Sequence, residues 1–299
     1  MIREESDGYT CDAYIFKGDF ANFFMSIDKS VLWEMIDDFV RSNYDGDDID
    51  CLLYLLSVTI FHCPQDRCIR KSPISAWKPL PKRKSLFYTE RSKGMAIGNL
   101  SSQLLANFLA SAFDQWIAHK GFRHYRRFCD DFVVVCKDRE RLLRLVPQID
   151  RYLDEQLHMS LHPNKRYIQH YTKGVKMVGA VIKPWRIYIS NRTVGKFYDK
   201  IMSFNAVADA GKQEDCVENF VQTINSYLGM MVHYNTYNIR KHICNDLILP
   251  KWAGFLYFCN GWKKARVVSR YKSVYKARKA IRKGKLTFAP ELGAKKDLR

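Results

Sequence analysis

Tyr125-Arg126-Arg127-Phe128-Cys129-Asp130-Asp131-Phe132-Val133-Val134-Val135 is the stretch that decides how this chain is read. An aromatic-rich run enters two adjacent aspartates and leaves through aromatic and β-branched residues, the pattern of a hairpin with carboxylates at its tip. Carboxylates between apolar strands are costly to desolvate, and a bound metal or a basic partner is the natural compensation. Asp-Asp is also a common turn dipeptide. Locally the two readings are equivalent, so the rest of the chain must separate them.

The 299 residues suffice for two structural units, at roughly 100–200 residues per domain. With 47% hydrophobic and 14% aromatic residues the chain can bury a large core. Its 49 Lys and Arg against 31 Asp and Glu give +18, which points to a polyanion, most simply nucleic acid. A basic ribosomal or membrane-surface protein would share that charge but would not need paired aspartates in an apolar hairpin. Nine cysteines without a C-x-x-C pair favour reduced thiols in a cytosolic setting. His62-Cys63 with Cys68 lacks a second half-site for zinc. The longest apolar stretch, 49–63, is interrupted and falls short of the about 20 residues that span a bilayer, so no membrane partner is expected.

Tyr14 to Phe20 reads as a strand ending in an acid, Asp19. Asp28 is a good N-cap for a helix carrying Val31, Leu32, Met35, Ile36, Phe39 and Val40 on one face. A second helix runs from Ile49 to about His62. Residues 64–96 change character: Pro64, Pro73, Pro79 and Pro81 exclude a long helix. Lys82, Arg83 and Lys84 lead a set of cations interleaved with Trp77, Phe87 and Tyr88, which suits phosphate contact and base stacking.

A helix is predicted over Asn99 to about Lys120, then the Asp-Asp hairpin, then a helix over 139–158 interrupted or kinked at Pro147. Short strands are predicted at 166–169, 175–182 and 186–189. From Ser190 onward the pattern is helical, with helices at 191–207, 214–234 and 237–249. The tail from Gly261 to Lys285 carries eleven Lys or Arg and no acid. With Tyr271 and Tyr275 spaced by four, it reads as a basic helix on nucleic acid, with Lys263, Lys264, Arg266, Arg270 and Lys272 as contacts. The expected architecture is α+β: an antiparallel sheet domain over 1–189, with the basic insertion at 64–96, followed by a helical domain over 190–299.

If the strand ending in Asp19 lies beside the hairpin, the three carboxylates converge. Two-metal phosphoryl transfer uses such convergence, with one ion activating a 3′-hydroxyl and the other stabilising the leaving pyrophosphate. Two magnesium ions are the expected cofactors, with manganese as the substitute, because hard oxygen ligands suit them.

At these residues the chain resembles the reverse transcriptases. Lys17-Gly18-Asp19-Phe20-Ala21-Asn22-Phe23-Phe24-Met25-Ser26-Ile27-Asp28 is similar to their first palm aspartate motif. Phe128-Cys129-Asp130-Asp131 is similar to their Y-x-D-D box, with Phe in place of Tyr. Gly94-Met95-Ala96-Ile97-Gly98-Asn99-Leu100-Ser101-Ser102-Gln103 occupies the nucleotide-and-template motif. His162-Pro163-Asn164-Lys165 and Gly174-Val175-Lys176-Met177-Val178-Gly179 resemble the last two palm motifs. The helical, basic C-terminal part resembles a thumb. The form Ile97-Gly98-x-x-x-Ser102-Gln103 resembles reverse transcriptases of diversity-generating retroelements, and Lys84-Ser85-Leu86-Phe87 and Ser226-Tyr227-Leu228-Gly229 fit that group.

The resemblance implies an RNA-directed DNA polymerase that makes error-prone cDNA from a template RNA. Its partners would be template RNA, primer and cDNA, dNTP, and a small basic helical accessory protein; its setting would be the cytoplasm of a bacterium, or a phage genome expressed there. It implies Asp19 and Asp130 as metal ligands, Asp131 as a supporting ligand and the Phe20 carbonyl as a further one. Phe24 would gate the incoming sugar, Gly98 would allow close backbone approach, and Lys165 would be the general acid for pyrophosphate. Ile97 replaces an amide near the nucleotide, and Gln103 replaces a rigid proline beside the template base. Both changes loosen geometric checking.

Family members carry a fingers region before the first aspartate motif, whereas eighteen residues precede Asp19 here. The expectation is an N-terminally truncated enzyme that polymerises poorly alone, its grip on the triphosphate lost or supplied elsewhere. Two alternatives stay open: a retron-like or group II intron-like enzyme, and a catalytically inert RNA-binding remnant.

Overall fold

The computed structural model describes residues 1–268 and 286–287. The chain folds as two units, Met1–Val175 and Lys176–Arg299. This division precedes the boundary expected at residue 189, because the short strands after Val175 pair among themselves.

The first unit contains α1 (Ile2–Glu5), β1 (Tyr14–Asp19), α2 (Phe23–Ser26), α3 (Lys29–Asn43), α4 (Ile49–Phe61), α5 (Leu100–His119), β2 (Tyr125–Phe128), β3 (Asp131–Cys136), α6 (Arg139–Leu157) and β4 (Tyr167–His170). Its four strands form one antiparallel sheet in the order β2-β3-β1-β4. The mixed helix and antiparallel sheet is the α+β class expected.

Register sets which residues share a face. β1 and β3 pair from Tyr14 opposite Cys136 to Asp19 opposite Asp131. Side chains alternate along a strand. Phe16, Phe20, Phe132 and Val134 join the core with Leu109 and Phe113 of α5 and Leu142, Leu145 and Ile149 of α6. Lys17, Asp19 and Asp131 therefore share the other face. Gly18 stands opposite Phe132, and a Cβ there would overlap the Phe132 ring. The strand thus needs glycine immediately before Asp19.

Asp28 caps α3, its Oδ1 accepting from the Ser30 and Val31 amides at 2.9 and 3.4 Å. The helix buries Leu32, Ile36 and Val40, while Phe39 remains exposed and meets Phe108 edge-on at 5.3 Å. α6 runs unbroken from Arg139 to Leu157 with Pro147 inside it, so of the expected interruption or kink the interruption is absent. Pro147 lies on the solvent side, so the carbonyl one turn earlier that loses its partner can turn to water. Residues 64–88 contain only short 3₁₀ turns.

The second unit contains β5 (Val175–Met177), β6 (Ala180–Lys183), β7 (Arg186–Ile189), α7 (Asn191–Asp209), α8 (Val217–Met231), α9 (Tyr237–His242), β8 (Leu256–Cys259), β9 (Lys264–Val267) and β10 (Leu286–Thr287). It forms two three-stranded sheets, β5-β6-β7 and β10-β8-β9. The expected all-helical domain is corrected by β8, β9 and β10. Likewise the tail is not helical at its start: Lys263 lies in a turn, and Lys264 and Arg266 lie on β9. Arg270, Tyr271, Lys272 and Tyr275 lie outside the described residues. The core of this unit gathers Phe197, Ile201, Phe220, Ile224, Leu228, Trp252 and Phe258. Among the described residues no helix is long and apolar enough to cross a membrane.

Candidate active site at the end of the central strands

Asp19 ends β1 and Asp131 begins β3, directly opposite each other. Asp130 occupies the turn between β2 and β3, after Cys129 in a left-handed conformation at φ 52°. The Phe20 amide donates to the Asp130 carbonyl at 3.0 Å, which ties the turn to the end of β1. The end of β1 and the turn into β3 thereby bring the backbone of Asp19, Asp130 and Asp131 together at one end of the sheet. The sequence supplied the acids; the antiparallel register brings them together.

Each facing carboxylate has a lysine. Lys165 Nζ donates to both oxygens of Asp19, at 2.9 and 2.8 Å. Lys17 Nζ donates to Asp131 Oδ1 at 2.7 Å. Residue 165 arrives because the segment before it pairs with the end of β1. The His162 amide donates to the Asp19 carbonyl at 2.7 Å, and the Ala21 amide donates to the Ser160 carbonyl at 2.8 Å. A 3₁₀ turn at Pro163–Lys165 then turns the lysine back over Asp19.

Asp19 is only 4% exposed. Burial pushes its carboxyl above the usual carboxylate range; Lys165 pulls the other way, and the neighbouring Asp130 and Asp131 add to the rise. The net upward direction is set chiefly by loss of solvent around the carboxylate.

A cavity of about 170 Å³ opens at this cluster. Asp19, Phe20, Phe24, Ile97, Asp130 and Lys165 all line it, as do Lys84, Asn22 and His162. Phe23 also lines the cavity but is otherwise buried in the core, stacked on Phe20 with centroids 5.5 Å apart, whereas Phe24 is half-buried. Ile97 is delivered by backbone pairing upstream: the Gly94 amide donates to Ile27 and the Met95 amide to Phe24, both at 2.8 Å. Gly98 follows at φ 102°, a conformation that favours glycine. Asp131, Gly98 and Gln103 are not among the residues lining this cavity. Asp131 is turned towards Lys17, and Gln103 lies in the first turns of α5.

The basic insertion is organised by cation–π contacts. Arg70 lies over Phe87 at 4.9 Å and Lys82 over Tyr88 at 5.4 Å, and Trp77 meets Phe87 edge-on at 5.2 Å. These residues line a separate cavity of about 270 Å³. Lys82, Arg83 and Lys84 share one exposed 3₁₀ turn. Of the three, Lys84 lines the carboxylate cavity, a placement the sequence did not signal. Lys263, Lys264 and Arg266 are exposed on the second unit.

Among the described residues no group of three or more His, Cys, Asp or Glu side chains is gathered to hold a metal by itself. The donors present nonetheless fit magnesium or manganese. Magnesium is bound through one or two carboxylates and substrate phosphates rather than by all-protein cages. Asp19 and Asp130 line the same cavity and supply oxygen donors to it. The bridge between Phe20 and Leu161 is made by flanking groups of residues 19 and 21, so it does not use the Phe20 carbonyl.

No protein-family model matches the chain, and no curated protein matches it. Among solved structures it is similar to apo telomerase from Candida tropicalis, with 11% identity and a TM-score of 0.48 over 81% of this chain and 44% of that one. It is also similar to telomerase from Candida albicans in complex with the TWJ fragment of telomeric RNA, with 12% identity and a TM-score of 0.40 over 84% of this chain and 47% of that one. A Candida tropicalis telomerase truncated from its C-terminal domain gives 12% identity and a TM-score of 0.45 over 63% of this chain and 38% of that one. The chain thus spans less than half the length of these structures.

Proposed function

We propose that the first unit carries the palm of an RNA-directed DNA polymerase and that Asp19 and Asp130 are its metal ligands. The observation that carries this reading is the convergence of Asp19, Phe20, Phe24, Ile97, Asp130 and Lys165 on one cavity, from four separate sequence segments. A plain turn at Asp130-Asp131 accounts for none of that convergence.

Two bound magnesium ions would supply activation of a primer 3′-hydroxyl and neutralisation of the pyrophosphate leaving group. The remaining work falls to the chain's own groups. Phe24 presents a ring edge or face to the incoming sugar and excludes a 2′-hydroxyl by contact. In this reading Lys84 and Lys165, which line the cavity, bring positive charge to the triphosphate, and Lys165 protonates the departing pyrophosphate oxygen. Lys165 would have to release Asp19 to reach it, leaving a carboxylate charge that a bound cation would offset. Asp131 supports the cluster through its pair with Lys17.

The reaction we assign is copying of a template RNA into error-prone cDNA, as in diversity-generating retroelements. Ile97 supports this reading: it lines the cavity with an apolar side chain that is 69% exposed and offers the nucleotide no amide. Its test is the error spectrum of cDNA made on templates that differ only in adenine content. Errors concentrated at template adenines support the assignment; a uniform, low error rate removes it and leaves a retron-like or intron-like polymerase. The exposed cations of the insertion and of the second unit suit the phosphates of template RNA and cDNA, and a small basic helical accessory protein completes the proposed complex.

One observation favours a second reading, an inert RNA-binding remnant: Asp19 and Asp131 already have lysine partners. In that case RNA binding is salt-dependent, no nucleotide is incorporated, and Asp19→Ala changes nothing.

A further inference from the structure

Arg127, on the strand leading into the Asp130 turn, makes a set of contacts that the polymerase reading does not use. Its Nε donates to Asp114 Oδ1 at 2.8 Å, and its Nη2 donates to Asp114 Oδ2 at 2.7 Å. Its Nη1 donates both to Asn107 Oδ1 and to the Cys129 carbonyl, each at 2.9 Å. Tyr125 Oη donates to Asp114 Oδ1 at 2.6 Å. The Arg127 side chain is 8% exposed.

Asp114 and Asn107 both lie on α5. Asn107 Nδ2 donates to the Gln103 carbonyl at 3.0 Å, which leaves its oxygen to face Arg127. A continuous chain of bonds therefore runs from the Gln103 backbone, at the start of α5, through Asn107 and Arg127 to the Cys129 carbonyl.

Cys129 is the left-handed residue of the turn, a conformation uncommon outside glycine. Arg127 holds its carbonyl from one side. From the other side the Phe20 amide holds the carbonyl of the next residue, Asp130. The Asp130 carboxylate projects from the backbone between these two attachments.

We infer that Arg127 is a positioning residue that sets the Asp130 carboxylate by clamping the Cys129 carbonyl to α5, with Asp114 and Asn107 fixing the guanidinium. What Asp130 does rests on the polymerase reading; what holds it in place rests on these bonds. The planar fork is essential, because one group must serve two carboxylate oxygens, an amide oxygen and a backbone carbonyl. A lysine ammonium is a point charge and cannot span all four.

The test uses the full chain, with Arg127→Lys as the conservative variant and Tyr125→Phe as a milder one that removes a single bond to Asp114. Three readouts are taken: Mn²⁺ affinity by electron paramagnetic resonance, hydrogen exchange at the Phe20 amide, and kcat and KM in primer extension. Groups that orient metal ligands typically change metal affinity by about 10–100-fold. Arg127→Lys should weaken Mn²⁺ binding by about tenfold and speed Phe20 exchange by a similar factor, with Tyr125→Phe shifting both less. In primer extension it should lower kcat and leave the dNTP KM unchanged. Wild-type Mn²⁺ affinity together with wild-type Phe20 exchange in Arg127→Lys would overturn the clamp. If the wild-type chain itself shows no saturable Mn²⁺ site, the polymerase reading falls, and exchange at Phe20 alone decides the clamp: faster in Arg127→Lys upholds it, unchanged overturns it.

Discussion

The Lys165 ammonium sits 2.9 and 2.8 Å from the two oxygens of Asp19, across 146 positions of sequence. Lys165 is half-exposed while Asp19 is buried, so the lysine can leave and the carboxylate cannot. That asymmetry suits a cation that yields its place to a metal and then serves the leaving group. Lys165→Ala should slow single-turnover nucleotide incorporation about 10²-fold or more, the scale of general acid catalysis. RNA affinity, measured by filter binding, should stay within about twofold, since one phosphate contact at most is lost.

Asp19 binds its proton more readily in the folded chain than an ordinary carboxyl does. A carboxyl with a raised folded-state value contributes stability below the unfolded value of about 3.9 and loses it as pH rises through the folded value. At neutral pH the ionised Asp19 is thus a burden on the fold. Asp19→Asn should be more resistant to urea than the wild type at pH 7, and the difference should shrink as pH falls towards 4. Magnesium should raise the thermal midpoint of the wild type and leave that of Asp19→Asn unchanged.

Gly18 lies against the Phe132 ring with no room for a methyl group. Gly18→Ala should destabilise the chain by about 1–3 kcal/mol, the usual cost of overpacking a core. Phe132→Leu in the same chain should recover part of the loss, measured as the urea midpoint. The displaced strand end carries Asp19, so incorporation should fall more than stability explains.

Lys84 and Arg83 are neighbours with different surroundings, since only Lys84 lines the carboxylate cavity. Lys84→Ala should raise the dNTP KM and barely alter RNA affinity. Arg83→Ala should leave KM alone and reduce the salt dependence of RNA binding, by about 0.7 in log–log slope if one single-strand phosphate contact is lost.

The acidic strand ends were legible because Asp19 and Asp130-Asp131 interrupt apolar runs, and a hairpin is a local signal. Their pairing was not local: β1 and β3 are over a hundred residues apart, and only the register shows that Asp19 faces Asp131. Lys17 was missed for the same reason, because its partner Asp131 is fixed by that register. One hint was available: Lys17 and Asp19 are two apart in a strand and so share a face.

The strands of the second unit had a clearer signal. Leu256-Tyr257-Phe258-Cys259 is a short apolar run, Asn260-Gly261 is a hairpin turn pair, and Lys264-Ala265-Arg266-Val267 alternates charged and apolar residues. In the structure Lys264 and Arg266 are exposed while Ala265 and Val267 are buried. The spacing of Tyr271 and Tyr275 by four suggests a helix for the whole basic tail, but over 264–267 the period of two sets a strand.

The most direct measurement is extension of a DNA primer by one nucleotide on an RNA template, with the chain in excess over the primer so that slow turnover still registers. The account predicts magnesium-dependent extension by the wild type and a loss of about 10³-fold or more in Asp130→Asn at unchanged RNA affinity, the scale on which removing a group that stabilises transition-state charge is felt. Extension that proceeds equally in Asp130→Asn, or RNA binding with no extension by the wild type, would contradict it.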